Sequence, residues 1–115
     1  MPLISPLGCA LAGVKARVRF TDGTVLRSAY RAPESVEEYR CSFGLNSRYR
    51  RLIEGGRLCV SAVDDQNDVR AVELEGHPFF VATLFQPEMQ KSSPLVHAFV
   101  RACERRKQSL TRAAS

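Results

Sequence analysis

No segment of the 115-residue chain approaches the ~20 consecutive apolar residues of a membrane span. The apolar opening MPLISPLGCALAG contains two prolines and no positively charged start, so it does not read as a secretory leader, and a cytoplasmic protein is expected. Four cysteines, Cys9, Cys41, Cys59 and Cys103, form no C-x-x-C pair and have no histidine beside them at metal-ligand spacing. Reduced, mostly buried thiols are expected, with no metal and no cofactor. Internal repeats and low-complexity runs are also missing, which excludes a solenoid and a disordered chain.

What is present fits one ordinary globular domain: 44% apolar and 25% charged residues in a chain long enough for a single core. A domain of this size buries roughly two-thirds of its unfolded surface. The net charge is +5, with Arg48, Arg50 and Arg51 in one segment and Arg101, Arg105, Arg106, Lys107 and Arg112 near the C-terminus. Aromatic residues are not interleaved with these cations, and no helix-turn-helix, zinc-finger or RNA-recognition pattern accompanies them. A solvated helix face followed by a frayed basic tail over 105–115 is expected, and neither nucleic acid nor membrane as a partner.

Periodicity predicts the elements. Residues 14–20 alternate apolar and basic side chains as a half-exposed strand does, and Thr21-Asp22-Gly23-Thr24 is turn chemistry. A second extended stretch is expected near 37–43. Asn46 then caps a short amphipathic helix in which Tyr49, Leu52 and Ile53 share a face, ended by Gly55-Gly56. Residues 57–63 and 69–74 are β-rich and separated by the polar loop 64–68, as in a hairpin. The run 79–85 is more continuously apolar and reads as a central strand covered on both faces. Ser93 caps a last helix with Pro94 at its first position and Leu95, Val96, Phe99, Val100 and Cys103 as a buried stripe; His97 points away from it. A buried central strand needs helices on both sheet faces, and two helices suggest either a small α+β fold or part of a larger doubly wound sheet.

Within this frame, His77-Pro78-Phe79-Phe80-Val81-Ala82-Thr83-Leu84-Phe85-Gln86-Pro87-Glu88 follows the register H-P-x-F-V-x-x-x-F-H-P-E. Upstream, Glu37-Glu38-Tyr39-Arg40-Cys41-Ser42-Phe43-Gly44-Leu45-Asn46 echoes E-R-H-R-H-R-Y-x-x-N, and Ser93-Pro94-Leu95 through Phe99 matches a closing P-L-F-x-x-F helix. Over 9–103 the chain therefore resembles the C-terminal part of the glutaminase domain of CTP synthase, a class I glutamine amidotransferase. It is closest in pattern to the stand-alone CTP synthase C-terminal-region-related proteins. The resemblance implies an α/β class, flavodoxin-like and doubly wound, with a mixed sheet and about two helices, a partial domain over 1–104, and a family role in releasing ammonia from glutamine for pyrimidine nucleotide synthesis.

It also implies a degenerate site. Members use a Cys–His–Glu triad; here Gln86 stands at the histidine position and Glu88 at the glutamate position. An imidazole exchanges a proton near neutral pH and a carboxamide does not. Ser42 falls where the family's arginine binds the substrate carboxylate, with Arg40 two residues earlier and on the same face of an extended segment. The family's G-x-C-x-G nucleophile turn lies upstream of all these motifs, and Gly8-Cys9-Ala10-Leu11-Ala12-Gly13 precedes a strand instead of a helix, so Cys9 is not the expected nucleophile. Two functions follow: a glutaminase-type protein inactive by itself, or a non-catalytic module that binds glutamine, a related small molecule or a protein partner. Half of a doubly wound sheet leaves an apolar edge open, so a homo-oligomer or a partner supplying the missing half is expected.

Overall fold

The computed structural model describes residues 3–6, 13–40 and 43–114. Strand β1 (Ile4–Pro6) is followed by β2 (Lys15–Phe20), whose alternation turns Ala16, Val18 and Phe20 inward and its cations outward. The turn after β2 leads into a helix absent from the sequence reading, α1 (Val25–Tyr30). Thr24 caps it, accepting the Arg27 N–H at 3.2 Å on its hydroxyl and donating to the Thr21 carbonyl at 2.6 Å. Arg31, at φ 54°, ends it in the left-handed conformation.

Strand β3 (Glu34–Glu38) returns antiparallel to β2, pairing Lys15 with Glu38 and Arg19 with Glu34. The second extended stretch thus lies earlier than expected, and Phe43 belongs to a separate strand, β4 (Phe43–Leu45), paired with β1. Asn46 caps the next element, its Oδ1 accepting the Arg48 N–H at 3.1 Å at the start of a 3₁₀ turn, Ser47–Tyr49. Helix α2 (Arg50–Glu54) follows and stops at Gly55, with Leu52 exposed. The expected hairpin is present as β5 (Leu58–Val63) and β6 (Val69–Leu74). Then come β7 (Val81–Thr83), a 3₁₀ turn (Pro87–Met89) and α3 (Pro94–Ala114).

The larger sheet has the order β3-β2-β5-β6-β7, and every pairing described in both sheets is antiparallel, where a mixed sheet was expected; among the described residues three α-helices accompany it. β2 joins β5 only at Arg19↔Val63 and Phe20↔Ala62. Beyond that join the sheet curls, so that the chain after β7 meets the end of β3, the Gln86 N–H donating to the Glu38 carbonyl at 2.9 Å. The curl encloses Val18, Phe20, Leu26, Tyr39, Ala62, Ala71, Phe85 and Leu95. Burying Leu26 or Phe85 completely contributes about 1.5–3 kcal/mol each by apolar transfer. On the outer face, β4 and α2 lie against β6 and β5.

Four further expectations change. The run 79–85 is not a central strand: β7 pairs only with β6, at the sheet edge, and Ala82 and Phe80 are exposed. Its apolar character arises because Phe85 enters the core and Phe79 stacks on Phe99, with ring centroids 5.5 Å apart. Among the described side chains of α3 only Leu95 is buried; Val96, Phe99 and Val100 are about half exposed, and Cys103 is exposed, because the helix packs mainly on α1. The helix also continues through the basic segment to Ala114, where fraying was expected. Cys59 and Cys103 are free but exposed, not buried; Cys9 and Cys41 lie outside the described residues. Among the described residues no helix is long and apolar enough to cross a membrane.

Candidate functional site

Phe85 anchors the segment that carries Gln86 and Glu88: its ring is buried edge-on against Tyr39, with centroids 6.3 Å apart. The next residue, Gln86, is still extended, and Pro87 then sets the 3₁₀ turn. Gln86 bridges to the end of β3 through both its backbone and its side chain. Besides the N–H bond to Glu38, its Oε1 accepts the Arg40 backbone N–H at 2.7 Å. The fold therefore brings Gln86 and Arg40 together, but through the Arg40 peptide. The Arg40 guanidinium turns to Glu38, Nε to Oε2 at 3.0 Å. Glu88 is exposed on the turn and makes no hydrogen bond or ion pair among the described residues. Ser42 lies outside the described residues.

Neither histidine serves this segment. His77 Nδ1 accepts the Phe79 N–H at 3.0 Å in the turn before β7, and Nε2 of His97, on α3, lies 3.1 Å from the hydroxyl of Ser92 ahead of that helix. As placed, Gln86 acts as a hydrogen-bonding strut. A carboxamide oxygen engaged by a peptide N–H has no basicity with which to take a proton.

Beside the turn is a cluster that sequence reasoning missed. Glu37, on β3, is fully buried; its carboxylate accepts from the Tyr30 hydroxyl of α1 and from the Gln90 carboxamide just after the 3₁₀ turn. Gln90 Nε2 also reaches the Val36 carbonyl at 3.2 Å. No cation pairs with Glu37 among the described residues. Burial pushes its carboxyl above the ordinary range, and the bonds from Tyr30 and Gln90 only partly oppose this. Burial, then the Glu37 bond, raises the Tyr30 hydroxyl as well. Nearby, burial pushes Tyr39 up to about 12 against the opposing Arg70 charge. The alternation of 34–38 misleads here, because the apolar Val36 points outward, 60% exposed, while the charged Glu37 points in.

Because Glu37 binds its proton more tightly when folded than when unfolded, its contribution to stability is complete below its ordinary pKa of 4.5 and is lost as pH rises through the higher folded value. Glu37→Gln, neutral throughout, should therefore gain on the wild-type protein as pH rises from 4 to 8. Urea unfolding across that interval measures the gain; a difference between the two proteins that is independent of pH would contradict it.

Two further buried charges hold the floor of the domain. Glu73 on β6 receives the Val25 and Leu26 N–H groups of α1 at 2.8 and 2.9 Å. Arg70, also on β6, directs Nε and a terminal nitrogen to Asp64 Oδ2 at 3.1 and 2.8 Å and lies over the Tyr39 ring, 5.8 Å from its centroid. Clefts open elsewhere: about 350 Å³ between α1 and α3, about 700 Å³ between the 77–79 turn and the far half of α3, and an apolar one of about 240 Å³ between β1, α2 and β6. Gln86, Glu88 and Arg40 line none of these three.

No family model matches the chain. It is 30% identical over 102 residues, 85% of its length, to the CTP synthase of Helicobacter pylori. It is 46% identical over 81 residues, 68% of its length, to that of Aeropyrum pernix. These alignments take in 19% and 15% of the two enzymes, so the chain spans less than a fifth of the curated relatives it matches. In three dimensions it resembles the glutaminase domain of Trypanosoma brucei CTP synthase, a structure with bound acivicin. The TM-score is 0.81 at 23% identity, covering 90% of this chain and 46% of that one. The fold is that of part of a glutaminase-type amidotransferase domain, as the 77–88 register implied.

Proposed function

We propose, from its relationship to the glutamine amidotransferase region of CTP synthases, that this chain is an amidotransferase-like protein that does not hydrolyse glutamine by itself. The observation that carries the reading is Gln86. It occupies the position of the proton-transferring histidine, and its oxygen is committed to the Arg40 N–H at 2.7 Å. Glu88, at the orienting-acid position, is exposed and has nothing to orient. Ammonia release therefore depends on groups outside this chain, and the ancestral role in pyrimidine nucleotide synthesis belongs to a larger assembly.

Support for an assembly comes from the surface. Val36, Phe80, Val96, Phe99 and Val100 remain at least 42% exposed. A second copy, or a partner that completes the domain, would cover such surface. Glutamine or a related amino acid is the small molecule that the relationship favours, with Arg40 and Ser42 as the recognition pair. Arg40 would then have to exchange Glu38 for the substrate carboxylate. The alternative, a purely non-catalytic binding or interaction module, shares the same degenerate site.

The test is direct. Incubated with glutamine, the chain should release no ammonia above blank, and neither Gln86→His nor Cys9→Ala should change that result. Ammonia release that Cys9→Ala abolishes would make Cys9 a nucleophile and overturn the reading. Light scattering on the same samples reads self-association: a dimer favours the second copy, and a monomer at high concentration favours a separate partner or a self-contained module.

A further inference from the structure

Arg101 and Arg105 stand one helical turn apart on α3, so their side chains share a face. Both line the cleft of about 350 Å³ between α3 and α1, together with Ser28, Ala29, Pro78 and Phe79. Elsewhere on the molecule, Arg17, Arg27, Arg40, Arg50 and Arg70 each face a carboxylate. Arg101 and Arg105 have no such partner among the described residues. Acids near the cleft are already engaged. Glu73 is held by the first N–H groups of α1, and Asp22, outside the cleft lining, pairs with Arg27 at 3.6 Å. Glu104, the one acidic residue of α3, lines a different cleft with Arg112.

Two guanidinium groups on one wall, a hydroxyl on the other and a proline and an aromatic ring at one end define a ligand with a compact anionic head and a small apolar body. A phosphoryl group carries about −1.5 to −2 charge near neutral pH, against about −1 for a carboxylate, so it answers two cations better. Its oxygens suit the planar donor array of arginine. The cleft volume exceeds what a lone phosphate fills and lies at the lower end of small-molecule sites, roughly 300–1,000 Å³. We propose that this cleft binds a small phosphate monoester, with the phosphoryl group between Arg101, Arg105 and Ser28 and the organic part against Pro78 and Phe79. The site shares no residue with the Gln86 segment and does not depend on glutamine chemistry.

The full chain would be titrated at constant ionic strength with inorganic phosphate, phenyl phosphate and benzoate, following the amide resonances of Ser28, Ala29 and Ala98. Saturable shifts are expected, with phenyl phosphate tighter than phosphate. Joint Arg101→Ala and Arg105→Ala substitution should weaken binding at least about tenfold, as expected for loss of charge-assisted hydrogen bonds. Arg112→Ala, outside this cleft, should leave binding unchanged. Equal weakening by Arg112→Ala, or shifts that never saturate, would reduce the effect to a general ion atmosphere. Benzoate binding as tightly as phenyl phosphate would assign the cleft to carboxylates. Sedimentation with phosphatidylcholine vesicles containing phosphatidic acid, unaffected by phenyl phosphate, would assign the arginines to a lipid surface. Each of these three results overturns the proposal.

Discussion

Arg70→Met is expected to destabilise the protein by about 3–5 kcal/mol, the usual cost of removing one member of a buried ion pair. The Arg70 side chain is 4% exposed and that of Asp64 15%. Asp64 does more than pair with arginine: its Oδ1 also accepts the Gln66 and Asp68 N–H groups, both at 2.9 Å, and so shapes the 64–68 loop. Without the guanidinium, a largely desolvated carboxylate remains inside the hairpin, Asp68, 3.9 Å from Arg70, adds a second negative charge, and the contact with the Tyr39 ring is lost. Arg70→Lys keeps the charge but not the two converging donors, so it should fall between the wild-type protein and Arg70→Met. Adding Asp64→Asn to Arg70→Met should recover more than about 1 kcal/mol, because neighbours in one network are not additive. Urea unfolding of the four proteins decides the matter, and an Arg70→Met midpoint equal to wild type would dismiss the pair as a stabilising element.

Glu73→Ala should cost about 2–4 kcal/mol, since it removes two charge-assisted hydrogen bonds and leaves donors unsatisfied. The Leu26 N–H belongs to a residue with no exposed surface, so water cannot replace the lost oxygen without opening the core. Glu73→Gln retains one acceptor and should lose roughly half as much by the same accounting. Amide hydrogen exchange locates the effect: the Val25 and Leu26 amides should exchange faster in Glu73→Ala, while those of the β5–β6 hairpin follow global stability. Unchanged protection at both amides would show that α1 holds without this cap.

These two residues also mark what could be read from sequence. The strand at 14–20, the hairpin around 64–68, the Asn46 start and Gly55 stop, and the helix start at Pro94 were all legible, because each is dictated by residues next to one another in the chain; the expected Ser93 side-chain cap is not made, its buried hydroxyl having no hydrogen-bond partner among the described residues. Helix α1 was not. Its six residues are too few to propagate on intrinsic propensity, and the carboxylate that satisfies its first turn lies 47 and 48 positions away. The burial of Glu37 was hidden for a related reason: the pattern of β3 places an apolar side chain outside and a charge inside, and only Tyr30 and Gln90 make that tolerable. At the candidate site, the register singled out Gln86 and Glu88. It could not show that Gln86 ties itself to the Arg40 peptide, since that contact spans 46 positions and exists only once the sheet has curled.

The narrow join between β2 and β5 bears on how the molecule comes apart. Two register pairs connect the β2–α1–β3 portion to the β5–β6–β7 portion. Bonds that cross between these portions, among them those from Val25 and Leu26 to Glu73, from Gln86 to Glu38, from Arg40 to Gln86, from Thr21 to Ser61 and from Arg17 to Asp65, then decide whether they melt as one unit or as two. A polar contact at such a seam serves cooperativity. Gln86, bonded to the end of β3 through both its backbone and its side chain, is placed where it helps make one folding unit out of two.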